Sequence, residues 1–147
     1  MLTKSQAKLF FLSGTIIFSV LFLGLSLDTT MNRVGKQTHE ENITPAVVAG
    51  KHLWDDNNCM GCHTIFGEGA YYAPELTKVV ERRGADYIKG VLMSPTPWGE
   101  HTSGRNMVMY GFSEEQANNL VEYFTWVGNC DLNGFPAKPK YKIEKIN

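Results

Sequence analysis

The chain of 147 residues has little cysteine and little histidine, three Cys and four His. Their arrangement excludes several kinds of site. A structural zinc centre wants four ligands, usually with a second Cys or His pair at close spacing. Here Cys130 stands alone, and His39, His52 and His101 form no pair. A thioredoxin-like thiol pair wants a βαβ frame, and no segment reads convincingly as a strand. Charge of one sign is lacking too. The formal net charge is -1, which gives no reason to propose nucleic-acid binding. There is no internal repeat and no low-complexity tract. Nothing has the look of a general acid–base pair or an activated nucleophile, and Glu68 reads as a solvated or interfacial charge.

One stretch lacks charge altogether. Leu9 to Leu27, LFFLSGTIIFSVLFLGLSL, is 19 residues without an ionisable side chain. At a helical rise of ~1.5 Å per residue it spans ~28 Å, close to a bilayer's hydrocarbon core. Lys4 and Lys8 precede it and Asp28 follows it. The positive-inside rule then keeps the N-terminus in the cytoplasm and puts the rest outside. The run is longer than the ~7–15 residues of a signal peptide's apolar region. Its exit, LSLDTTMN, has no Ala-x-Ala site. An uncut anchor in the lipid bilayer is expected. The chain divides into a cytoplasmic N-terminus (1–8), a transmembrane anchor helix (9–29), a polar linker (30–43), a monohaem domain argued below (44–129) and a C-terminal tail (130–147). As random coil, the linker would reach roughly 20 Å.

The part after the linker is small and mostly α. Thr44 can cap a helix and Pro45 suits its first position. Val47, Val48, Leu53 and Trp54 give that helix an apolar face. A second helix is expected over Pro74 to Arg83, closed by Gly84, and a third over Asp86 to Met93, ended by Ser94-Pro95. Thr96 to Gly111 is rich in Pro, Gly and Ser and reads as a long loop. Ser113, with Gln116 three residues on, is a capping box opening a last helix.

The first helix runs into Cys59-Met60-Gly61-Cys62-His63, which fits the c-type haem attachment pattern C-x-x-C-H. Two thiols at this spacing can each form a thioether to one vinyl group. The adjacent His63 then lies under the macrocycle as an axial ligand. A covalent haem c would also supply the apolar centre that so small a domain needs. For the sixth position the loop GRNMVMYGFSEE offers Met107 and Met109, 44 to 46 residues after His63 and directly before the last helix. His101 would instead give a bis-histidine haem, and Met60 is sterically unsuited. A vacant sixth position would make a haem enzyme or gas sensor. The loop's placement resembles class I cytochromes c, in which a methionine loop precedes the C-terminal helix. Aligning Tyr110 with their aromatic position favours Met107, although Val108 stands where many have proline.

Three further stretches carry a closer resemblance. They are GEGAYYAPEL from Gly67 to Leu76, RRG from Arg82 to Gly84, and FTWVGNCDLNGFP from Phe124 to Pro136. With these and its single N-terminal span, the chain resembles the small membrane-anchored cytochrome c subunit of cytochrome c-dependent nitric oxide reductase. The departures are Val108 and Cys130, the latter read as a buried or reduced thiol. The resemblance implies an all-α fold, one transmembrane helix followed by a class I cytochrome c-like domain. It implies a protein that does no bond chemistry itself. Electrons would come from a periplasmic cytochrome c or cupredoxin and pass to a large multi-span subunit in the bacterial inner membrane. That large partner holds haem b and a centre of haem b3 and non-haem iron, where two NO, two electrons and two protons give N2O and water. The resemblance also implies a calcium ion at the boundary between the two, with Gly69 and Tyr71 contributed by this chain. A free-standing tethered carrier, or the haem c subunit of a terminal oxidase, is the nearest alternative.

Overall fold

A computed structural model describes residues 3–100, 104–132 and 134. The chain forms two compact units, 1–37 and 38–147. In the first, Thr3 caps helix α1 (Lys4–Asp28) through a reciprocal capping box with Gln6. No residue of α1 is buried, although its surface is apolar on all sides. Among the described residues it begins the one helical stretch, Lys4–Thr38, long and apolar enough to cross a membrane. A helix apolar all round needs lipid or protein cover.

The segment expected as a coil linker after residue 29 is helical instead. A π-turn over Thr29–Val34 leads into α2 (Gly35–Thr38). The Asp28 carboxylate accepts hydrogen bonds from Asn32 Nδ2 (2.9 Å) and Arg33 Nε (3.2 Å). The second of these spans five residues, the spacing of a π-turn. The helix ends where His39 takes a left-handed conformation, φ 51°, followed by a single 3-10 turn over Glu40–Asn42. Coil reach therefore overstates the freedom of this segment.

The second unit is organised by two helices. In α3 (Pro45–Asp56), Thr44 Oγ1 accepts the Val47 N–H and Pro45 fills the first turn. In α6 (Glu114–Asn129), Ser113 and Gln116 form the expected capping box. The two helices cross in close contact. At Gly50 an added Cβ would meet the Asn119 carbonyl oxygen at 2.1 Å and Tyr123 Cβ at 2.7 Å. Glycine there is a condition of the crossing. The core around it includes Val47, Trp54, Leu120, Phe124 and Val127.

Two short helices lie against α6: α4 (Val79–Arg83) and α5 (Ala85–Leu92). Gly84, at φ 82°, separates them. The helix expected from Pro74 starts five residues late because the preceding amides are already committed. Ala73 N–H donates to the Cys62 carbonyl and Leu76 N–H to that of Thr64, each at 2.8 Å. The Glu75 carboxylate accepts the Thr77 N–H at 2.6 Å.

Two antiparallel ladders complete the unit, β1 (Thr64–Ile65) with β2 (Glu68–Gly69), and β3 (Trp98–Glu100) with β4 (Arg105–Met107). The second lies inside the stretch expected as an unstructured loop. Strands of two or three residues are too short for alternation to register in a sequence.

Gly50→Ala should lower the unfolding free energy by about 3 kcal/mol, the upper end for overpacking, because backbone must move. Urea denaturation of the haem-loaded protein, followed by far-ultraviolet circular dichroism, would measure it.

Candidate haem-binding site

The site begins where α3 stops. Asn58 adopts φ 50°, and a 3-10 turn over Cys59–Gly61 follows. Both Cys62 N–H (3.1 Å) and His63 N–H (2.9 Å) donate to the Cys59 carbonyl. One tight turn thus carries both thiols and the imidazole. Behind it the β1–β2 hairpin folds back with Phe66 at φ 57° and Gly67 at φ 82°. Gly69 sits at φ 122°, and a Cβ there would lie 2.2 Å from the His63 carbonyl oxygen. The glycine-rich run therefore has a local cause: its backbone passes directly over the histidine's own peptide.

His63 is oriented by a second shared contact. Its Nδ1 lies 2.7 Å from the Pro74 carbonyl oxygen. A carbonyl only accepts, so Nδ1 carries the proton and Nε2 keeps its lone pair. This is the ligand geometry in which the outer hydrogen bond fixes ring and tautomer. Burial pushes the imidazole's pKa below its usual value, and the Pro74 bond opposes this only in part. The ring is neutral and able to bind metal. The Trp54 ring lies 6.4 Å from it.

The Cys59 thiol is pushed up to about 11, chiefly by burial and next by Cys62. Redox-active Cys-x-x-Cys pairs show the opposite, a lowered thiol pKa. All three cysteines are free thiols, and Cys130 is buried, 3.5 Å from the Trp126 carbonyl.

Cys59, Cys62 and His63 line a cleft of about 750 Å³, whose other walls include Met107, Leu120 and Phe124. Met107 is half-buried against the core. Met109 is 53% exposed and does not line the cleft. His101 lies outside the described residues. Tyr71, 80% exposed, lines the cleft and donates from its hydroxyl to the Gly67 carbonyl at 3.2 Å. Glu68 and Gly69 are exposed.

Two supporting residues gave no sequence signal. Buried Thr77 accepts the Phe66 N–H at 2.7 Å and so fixes the hairpin. Trp98, on β3, lines the cleft directly opposite Met107 in the ladder. Neither belongs to a motif.

The residues present fit a covalently bound haem. They provide a cleft of the right scale with apolar walls, two thiols at attachment spacing, a neutral imidazole with a free Nε2 and a thioether. Such a fold and site define a c-type cytochrome domain, and residues 47–127 match the cytochrome c family. Over 146 residues the chain is 38% identical to the cytochrome c subunit of the nitric oxide reductase of Halomonas halodenitrificans, covering 94% of this chain and 96% of that one. The corresponding proteins of Stutzerimonas stutzeri (38% over 138 residues, 91% and 93% covered) and Paracoccus denitrificans (34% over 143 residues, 92% and 94%) are similar. The chain belongs to the family of nitric oxide reductase cytochrome c subunits.

Replacing both thiols, Cys59→Ala with Cys62→Ala, should abolish covalent haem. Haem staining of a denaturing gel would show a band in the parent protein and none in the double variant.

Proposed function

We propose that the chain is the membrane-anchored, monohaem electron-transfer subunit of a nitric oxide reductase. It accepts electrons from a periplasmic cytochrome c or cupredoxin. It passes them to a large catalytic subunit with haem b and b3, where 2 NO, 2 electrons and 2 protons become N2O and water. The observation that carries this reading is the convergence of Cys59, Cys62, His63 and Met107 on one apolar cleft, in a chain similar to its nitric oxide reductase relatives along nearly its whole length.

The chemistry supplied by bound haem c is reversible one-electron exchange at iron. The protein's own residues do the rest. Cys59 and Cys62 fix the macrocycle through thioethers. His63 ligates through Nε2, its ring held by the Pro74 carbonyl. Met107 fills the sixth position with a thioether, which raises the potential. Trp54, Leu120 and Phe124 keep water from that face of the cleft. With both axial positions filled, the domain carries electrons and catalyses nothing itself.

Helix α1 anchors the protein in the inner membrane, with Lys4 and Lys8 on the cytoplasmic side and the haem domain in the periplasm. Gly69 and Tyr71, both exposed, contribute to a calcium ion at the boundary with the large catalytic partner. Calcium takes 6–8 oxygen ligands. Among the described residues no group of three or more His, Cys, Asp and Glu is placed to hold a metal ion, so the partner supplies most of them.

Met107→Leu should leave haem attached, lower its potential and slow electron delivery. An unchanged optical spectrum would move the assignment to Met109 or His101. Gentle detergent purification through a C-terminal tag tests the larger reading. Co-purification of a large protein with non-covalent haem b, reducing NO to N2O, is expected. A lone c-type cytochrome would support the tethered carrier instead.

A further inference from the structure

We infer that Trp98, backed by Tyr87 and Arg83, is a positioning residue that holds Met107 in place as the sixth ligand. This inference rests on the reading of Met107 given above. A ligand methionine on a surface loop needs something to hold it. Here Val108, 65% exposed, follows Met107 where a proline would have stiffened the chain.

The ladder β3–β4 supplies the missing restraint. Trp98 pairs with Met107, Gly99 with Asn106 and Glu100 with Arg105. Directly opposed residues of an antiparallel pair present their side chains on one face, Cβ atoms ~5 Å apart. Both Trp98 and Met107 line the cleft.

The hairpin is in turn tied to α5. The Trp98 ring meets Tyr87 edge-on, at 6.0 Å between centroids and 89° between planes. This is the arrangement that the aromatic quadrupole favours. The Arg83 guanidinium lies 5.5 Å over the Tyr87 ring, within cation–π range. Tyr87 and Arg83 also line the cleft. α5 is itself seated by Ile88 and Leu92, both buried. A continuous run of contacts therefore links a core helix to the strand that bears Met107. Trp98 and Tyr87 remain 45% and 44% exposed, so this stack is no part of the core that holds the fold together.

The test is an imidazole titration of the full-length, haem-loaded ferric protein. It is followed by loss of the red charge-transfer band that marks methionine on ferric iron, as imidazole replaces the thioether sulfur. Trp98→Leu should bind imidazole about tenfold more tightly than the parent, a factor set by ~1.4 kcal/mol. Tyr87→Leu should shift in the same direction by less, and Trp98→Phe should stay near the parent. Val121→Ala, which thins the buried core away from the cleft, should lose thermal stability without changing imidazole affinity. Trp98→Leu indistinguishable from the parent would overturn the inference. So would an equal shift in Val121→Ala, which would mean general loosening. If Met107→Leu keeps the charge-transfer band, the ligand assignment itself fails and takes this inference with it. A lost band in Met107→Leu beside an unmoved Trp98→Leu separates the two failures.

Discussion

The close crossing of α3 and α6 at Gly50 is the constraint on which the site depends. With an Asn119 carbonyl oxygen only 2.1 Å from where a Cβ would stand, the two helices touch backbone to backbone. That contact lets Trp54 bury itself among Tyr123 and Phe124, with ring centroids 6.3 and 5.7 Å away. Trp54 lies near the end of α3, and its ring also approaches His63. The floor of the cleft and the start of the attachment turn are therefore set by one helix pair. Moving the helices apart would displace the thiols and imidazole from the wall that Leu120 and Phe124 provide.

A second constraint governs the chemistry. The stretch after Cys62-His63 doubles back so that its backbone serves His63 twice. Gly69 passes over the histidine's carbonyl, and the Pro74 carbonyl accepts its Nδ1 proton. Burial and this single hydrogen bond leave a neutral ring with one free nitrogen, which is what an axial ligand requires. The same burial raises the Cys59 thiol, opposite to the tuning of a redox thiol pair. Electrostatics and geometry thus favour a covalently held cofactor over thiol chemistry.

How much of this was legible in the sequence depended on range. The caps at Thr44-Pro45 and Ser113–Gln116 were readable because each is a bond between residues a turn apart. The C-x-x-C-H motif was readable because attachment chemistry dictates its spacing. The late start of α4 was not, since Leu76 and Ala73 spend their amides on partners twelve and eleven residues back. The β3–β4 ladder was hidden by its shortness, and with it the reason Met107 and Met109 differ. They are two residues apart and alike in composition, yet only Met107 lies in the ladder opposite Trp98. The helical continuation beyond Asp28 was masked by polar residues whose periodicity is weak. Its cause, a carboxylate serving both Asn32 and Arg33, is a side-chain event.

An electron carrier of this kind must keep both axial positions filled, so the ligand pair is the centre of the account. Near-infrared magnetic circular dichroism of the oxidised full-length protein reads that pair directly. The account predicts low-spin ferric haem with histidine–methionine ligation. A bis-histidine signature, or a high-spin five-coordinate iron, would contradict it.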